Sequence, residues 1–218
     1  MNIKAVIWDL DGTLLNTLDD LAASTNAALV QNGLPQRTTD EVRCFVGNGV
    51  HKLIERAVPE LGENHPKFQQ VLDSFVAHYG EHSRDNTRPY DGIMEALEAL
   101  EKMDAVHAIV SNKIDFAVKA LSQDYFPGRM KSAVGDDPSR RKKPAPDSVL
   151  EAMRQMGVNA QECVYVGDSD VDVHTARNAG IPCVAVTWGF RDENCLREAG
   201  AEHIAHTPAQ LVQMIVSM

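Results

Sequence analysis

From Ile93 onward the sequence alternates between stretches of helical spacing and short apolar runs, and this rhythm constrains the fold more than any other feature. IMEALEALEKM, DFAVKALSQDY, PDSVLEAMRQMG, VDVHTARNAG, DENCLREAG and PAQLVQMIV carry apolar residues at helical intervals. AVHAIVSN, SAVG, CVYVGDSD, PCVAVTW and HIA lie between them as strand-like runs. Such alternation predicts an α/β protein with a doubly wound parallel-sheet (Rossmann-like) core, helices covering both faces.

Residues 3 to 8, IKAVIW, read as one more buried strand, yet the chain beyond them breaks the rhythm. Between Thr17 and Arg84 helical spacing recurs in LDDLAASTNAALVQNG, VHKLIERAV and KFQQVLDSFVAHY, with little strand character. One strand ahead of a helical block cannot make a sheet alone, so it must join the later strands. The expected organisation is a core formed by residues 1–16 and 86–218, interrupted by a helical insertion over 17–85. The 218 residues suit a domain carrying an insertion.

Composition narrows the partners. Hydrophobic residues make up 44% and charged residues 24%, an ordinary globular balance that excludes disordered and low-complexity classes. The net charge of −10 repels nucleic-acid phosphates and anionic membranes, so neither is an expected partner. No run approaches the ~20 apolar residues of a bilayer span, and MNIKAVIWDLDGT lacks an export-type apolar stretch. Cys44, Cys163, Cys183 and Cys195 form no Cys-x-x-Cys pair and read as buried thiols of a reducing compartment. A cytoplasmic protein is expected, monomer or homodimer.

Ligands of open parallel sheets bind at the carboxyl ends of the strands, near the point where strand order reverses. Three such ends and one loop are rich in chemistry: Asp9-Leu10-Asp11-Gly12-Thr13, Ser111-Asn112-Lys113, Gly167-Asp168-Ser169-Asp170-Val171-Asp172, and Lys143-Pro144 closing the basic run from Arg140. Acids gathered at one edge repel each other unless a cation sits among them. Oxygen ligands without histidine or cysteine favour Mg²⁺, which usually works beside a substrate phosphate. Lys113 and Lys143 would hold the remaining phosphate oxygens, and a metal with two lysines outweighs the screened global charge. Of Asp9 and Asp11, one carboxylate can attack phosphorus while the other protonates the leaving alkoxide and later deprotonates water.

In matching order, a hydrophobic strand with DLDGT, a Ser-Asn after a later strand, a Lys-Pro and a GDSxxD resemble the four motifs of the haloacid dehalogenase superfamily, over nearly the whole chain. At ~5% usage per residue type, the DxDGT pattern alone arises by chance in about one such sequence in several hundred. The resemblance implies Asp9 as nucleophile, Asp11 as general acid/base, and Ser111 and Lys143 on the phosphoryl group, with Thr13 and Asn112 beside them. It implies Asp9, Asp168 and the backbone carbonyl of Asp11 as Mg²⁺ ligands, with Asp172 near that metal shell. The insertion then resembles a mobile cap domain that closes over substrate.

Among the superfamily's phosphatases, those acting on phosphoglycolate look closest, through Val42 to Val50, Ser111-Asn112-Lys113 and Lys142-Lys143-Pro144-Ala145-Pro146. In that first segment Gly47, Asn48 and Gly49 form a loop able to approach a small ligand, and the helix start after it favours a carboxylate, with Arg43 or Lys52 assisting. A small phosphorylated metabolite is the expected partner. A phosphosugar mutase and, from another class, a phosphoacceptor signalling module are the competing functions. Dehalogenation has no use for Asp11, because halide leaves without a proton.

Each signal also has a bland counterpart. DLDGT alone can be a strand-ending turn, GDS a helix N-cap, Gly47-Asn48-Gly49 a helix break, and Arg140 to Lys143 a solvated charged loop, of which only Lys143 gains from the motif match. The eight histidines lack ligand spacing, and Trp8 and Trp188 read as core or site-wall residues.

Overall fold

A computed structural model describes residues 3–218 of the chain. In chain order it contains β1 (Ala5–Trp8), β2 (Leu15–Asn16), α1 (Leu18–Gln31), α2 (Thr39–Phe45), α3 (Val50–Ala57), α4 (Pro66–His82) and β3 (Arg88–Pro89). After these come α5 (Ile93–Glu101), β4 (Val106–Ile114), α6 (Asp115–Tyr125), β5 (Met130–Asp136), α7 (Asp147–Met156), β6 (Cys163–Gly167), α8 (Asp170–Ala179), β7 (Cys183–Val186), α9 (Glu193–Glu198), β8 (His203–Ala205) and α10 (Pro208–Ser217). Two compact units result, one made of the chain up to Leu15 with Pro89–Met218, the other of Asn16–Arg88.

The first unit is a six-stranded sheet in the order β5-β4-β1-β6-β7-β8, every neighbouring pair parallel. Its two faces follow from strand alternation. Val6 and Trp8 of β1 join a layer with Ile93, Leu97, Val118, Leu121, Leu211 and Ile215 from α5, α6 and α10. Ala5 and Ile7 point the other way, toward Val149, Ala152 and Met153 of α7 and Ala176 of α8. All four β1 residues are fully buried, as a central parallel strand requires. Each large apolar side chain buried here stabilises the fold by roughly 1.5–3 kcal/mol.

From β1 the chain builds outward through β4 and β5, then crosses to the opposite side of β1 for β6, β7 and β8. Strand order therefore reverses between β1 and β6, the position at whose carboxyl ends open sheets of this kind bind ligands. Register brings the decisive residues level. Trp8 pairs with Ile109 on β4 and with Val166 on β6. Asp9, Val110 and Gly167 thus come side by side, with Ser111 and Asp168 one residue beyond.

The second unit is helical. Leu21, Ala28 and Leu29 of α1, Val42 of α2, Leu53 and Ile54 of α3, and Phe68, Val71 and Phe75 of α4 are buried within it. Thr38 and Glu41 cap α2 reciprocally, the Glu41 N–H donating to Thr38 Oγ1 (3.2 Å) and the Thr38 N–H to Glu41 Oε2 (2.7 Å). Asp20, 1% exposed in the first turn of α1, receives Asn86 N and Nδ2 and Thr87 N and Oγ1, all at 2.8–3.1 Å. One carboxylate therefore joins the beginning of the unit to its end. The two chain crossings, β2 and β3, pair with each other as a two-stranded ribbon.

The cysteine expectation is only partly met. Cys163 is buried, Cys183 and Cys195 are half-buried, and Cys44 is exposed; no disulfide joins them. Among the described residues no helix is long and apolar enough to cross a membrane.

Candidate active site

Beyond β1 the chain turns sharply. Asp9 N–H still donates to Val166 O (2.8 Å), extending the ladder, while Leu15 N and Leu14 N both bond back to Leu10 O. Buried Leu10, Leu14 and Leu15 anchor the turn in the core. Gly12 sits at φ 87°, and a Cβ there would fall under 3.0 Å from the Asp168 carboxylate. Glycine is required twice over, by the left-handed backbone and by the close approach.

Asp9, Asp168 and Asp172 each bring a carboxylate oxygen within 4.8 Å of the others, and all three residues are buried. Asp168 has both oxygens held, Oδ1 by the Thr13 hydroxyl (3.0 Å) and Oδ2 by the Phe190 N–H (2.7 Å). At the third position of α8, Asp172 reaches back so that Oδ2 accepts from Ser169 N (3.1 Å) and Oγ (2.6 Å). Its Oδ1 accepts from Lys143 Nζ (2.8 Å) and the Tyr165 hydroxyl (3.1 Å).

Lys143 lies at the centre of this network. Its ammonium nitrogen lies within hydrogen-bond distance of Asp172 Oδ1 (2.8 Å), the Tyr165 hydroxyl (3.0 Å) and Val110 O (3.2 Å). Asp9 Oδ1, also buried, stands 2.8 Å from the same nitrogen as an ion pair. Burial, then the Asp172 charge, pushes Asp9 well above the usual carboxylate range despite Lys143. Burial and Asp172 likewise raise Asp168 to about 7. For Lys143 burial opposes the charged form, but Asp172 and Asp9 outweigh it and hold the ammonium well above the ordinary lysine range.

Asp11 is placed apart from this trio, with both carboxylate oxygens 2.9 Å from Lys113 Nζ. Lys113 therefore meets the second acid of the DxD pair here. Ser111 is buried, its Oγ accepting from Lys113 N (3.3 Å). The Asn112 amide grips the Lys143 backbone from both sides, Nδ2 donating to Lys143 O (3.1 Å) and Oδ1 accepting from Lys143 N (2.9 Å). The basic run divides: Arg140 pairs with Asp115, Arg141 with Asp147 and Lys142 with Asp136, whereas Lys143 alone of the four is buried.

The other predicted residues belong to the helical unit. Gly47 (φ 121°) and Gly49 (φ 84°) flank Asn48 in a left-handed backbone before α3. Arg56, which the sequence did not single out, fastens this loop by donating to Phe45 O (2.7 Å) and Asn48 Oδ1 (2.8 Å). Arg43 is largely exposed and pairs with Asp40 at 3.3 Å. His51, Glu55 and Glu63 also cluster, and Lys52 pairs with both glutamates, offsetting part of their charge.

Of the loop after β7, sequence reasoning named only Trp188, as a core or site-wall residue, and missed Gly189 and Phe190. Trp188 Nε1 donates to Thr13 O (3.0 Å), and Gly189 packs so closely that a Cβ would overlap Asp168 and the Gly12 carbonyl. The available signal was a glycine directly past a strand at the carboxyl edge.

The acid trio fits a hard dication. It offers only oxygen, its three carboxylates lie within 4.8 Å of one another and are buried, and positive charge would offset the repulsion that raises Asp9 and Asp168.

Residues 6–186 match the family model described as haloacid dehalogenase-like hydrolase. The chain belongs to that family. This haloacid dehalogenase-like chain is 33% identical over 221 residues to a phosphoglycolate phosphatase of Thiobacillus denitrificans, covering 98% of this chain and 96% of that one. It is equally 33% identical over 217 residues to an N-acetylmuramic acid 6-phosphate phosphatase of Pseudomonas aeruginosa, with 99% and 96% covered. A crystal structure of a candidate phosphoglycolate phosphatase from Lactobacillus delbrueckii subsp. bulgaricus superposes with a TM-score of 0.92 at 33% identity, covering 99% of each chain. The chain is thus a phosphatase-like enzyme of the haloacid dehalogenase hydrolases.

Proposed function

We propose that this chain is a Mg²⁺-dependent phosphomonoester hydrolase working through an aspartyl phosphate on Asp9, with 2-phosphoglycolate the preferred substrate. The observation that carries the reading is the gathering of three buried carboxylates, Asp9, Asp168 and Asp172, within 4.8 Å of one another around Lys143 at the point where strand order reverses. Asp9, Asp168 and the Asp11 carbonyl would hold Mg²⁺, which when bound withdraws charge from the phosphoryl oxygens and offsets the carboxylate repulsion.

The chain's own residues divide the remaining work. An Asp9 oxygen forms a bond to phosphorus as the bond from phosphorus to the alcohol oxygen breaks, and Asp11 gives its proton to the departing alkoxide. Asp11 then takes a proton from water, whose oxygen attacks phosphorus and releases Asp9 and inorganic phosphate. Ser111 provides a hydroxyl donor and Lys143 a positive charge for the phosphoryl oxygens beside Thr13, whose own hydroxyl stays on Asp168, and Asn112 fixes the Lys143 backbone. Asp172 orients Lys143, since each of its oxygens is already engaged. Residues 17–85 act as the cap, with Arg43, Gly47, Asn48 and Gly49 recognising the substrate's carboxylate.

The test is hydrolysis of a phosphoester panel that includes 2-phosphoglycolate and N-acetylmuramic acid 6-phosphate, the second because of the equally similar Pseudomonas relative. Asp9→Asn is expected to lose at least about 10³-fold in kcat, and EDTA to abolish turnover until Mg²⁺ is returned. Turnover by Asp9→Asn at the parent rate sinks the mechanism. Selective hydrolysis of another ester on the panel replaces the substrate and leaves the mechanism standing.

A further inference from the structure

The loop between β7 and α9 touches Asp168 of the acid trio and the DLDGT turn, yet none of its residues belongs to the four strand-end and loop motifs. Phe190 N–H donates to Asp168 Oδ2 at 2.7 Å. The other oxygen, Oδ1, accepts from the Thr13 hydroxyl at 3.0 Å, and Thr13 is itself held by Trp188, whose indole N–H donates to its carbonyl at 3.0 Å. Gly12 on one side and Gly189 on the other approach Asp168 so closely that a Cβ on either would overlap its carboxylate. The loop and the DLDGT turn thus form a closed ring around one carboxylate: Trp188 to Thr13, Thr13 to Asp168, Asp168 to Phe190.

We propose that Trp188, Gly189 and Phe190 form a positioning clamp that fixes the Asp168 carboxylate for cation binding, Trp188 acting at a distance through Thr13. The clamp deepens the proposed metal-dependent function and rests on it. A carboxylate free to rotate can turn its lone pairs away from an ion, whereas one held at both oxygens keeps its remaining lone pairs in a fixed direction. Outer partners of this kind typically alter metal affinity by 10- to 100-fold. Trp188 touches no reacting atom in this scheme. Its indole is half-buried and packs on the apolar layer of α5, α6 and α10, so the ring has a structural use that must be separated from the N–H.

The experiment is calorimetric titration of Mg²⁺ alone into the full-length parent, Trp188→Phe, Gly189→Ala and Asp168→Asn, with the metal-free melting temperature of each. Trp188→Phe keeps an aromatic ring and removes the donor. It is expected to bind Mg²⁺ about 10-fold more weakly, with a metal-free melting temperature near the parent's, and excess Mg²⁺ should restore its kcat. Gly189→Ala should weaken binding further, and it supplies the answer should Trp188→Phe fold poorly. A structural role alone would lower melting and leave Mg²⁺ affinity at the parent value in both variants; with Asp168→Asn abolishing binding, that result overturns the clamp. Parent-like Mg²⁺ affinity in Asp168→Asn overturns the metal reading itself, and the clamp with it.

Discussion

Lys143 shows at the residue scale how a lysine remains charged inside a protein. Its ammonium is buried, yet three acceptors and one further carboxylate surround it, so the attraction of Asp172 and Asp9 exceeds the desolvation cost. Removing one partner should therefore cost far more than a surface ion pair. Asp172→Ala leaves Lys143 without its shortest hydrogen bond and Ser169 without its cap partner, and is expected to destabilise the chain by roughly 3–5 kcal/mol in urea unfolding. A change below about 1 kcal/mol would show that the ammonium finds other partners. The sequence exposed Lys143 through the proline after it, but could not reveal Tyr165, which reads as one more residue of an apolar strand until the fold turns it toward Asp172. Asn112 was similarly opaque: its residue type fits a phosphate contact, and only the packed loop shows the amide on the Lys143 backbone.

At the scale of elements, Asp20 is the counterpart in the helical unit, a buried carboxylate held by four donor groups from Asn86 and Thr87. Burial works against its ionised form, but the Thr87 and Asn86 hydrogen bonds prevail and set its pKa below the ordinary aspartate value. A folded pKa below the unfolded one means that this stabilisation is complete above about pH 4. It disappears as the pH falls through the lowered folded value. Asp20→Ala should cost about 2–4 kcal/mol at pH 7 and progressively less in acid, read from denaturant midpoints across pH. An unchanged midpoint at pH 7 would contradict the assignment. The longer helices and six core strands were legible because each carries enough residues for its period to show, Leu18–Gln31 and Val106–Ile114 among them. Leu15–Asn16 and Arg88–Pro89 were not, since two residues have no period. The Trp188 loop was hidden for another reason. The run PCVAVTW reads as strand to its end, while the structure ends β7 at Val186 and gives Trp188 to the turn.

For the whole molecule, the acid trio sets a balance between fold and chemistry. Metal-free, Asp168 titrates near 7 against about 4 in an unfolded chain. A raised folded pKa means that its contribution is fully present below about pH 4 and is lost as pH rises toward 7. On the proposed metal-dependent reading, bound Mg²⁺ would reverse that loss. The rise in melting temperature on adding Mg²⁺ should accordingly be larger at about pH 8 than at about pH 6, measured by thermal unfolding in matched buffers. An equal gain at both values would place the ion elsewhere.

The paired two-residue crossings carry a consequence of their own. Because the polypeptide departs and returns through adjacent backbones, whatever is spliced between them meets the sheet through a single narrow doorway. A change of length or sequence between them therefore leaves the two ends of the sheet-bearing chain held together at the same pair of short strands.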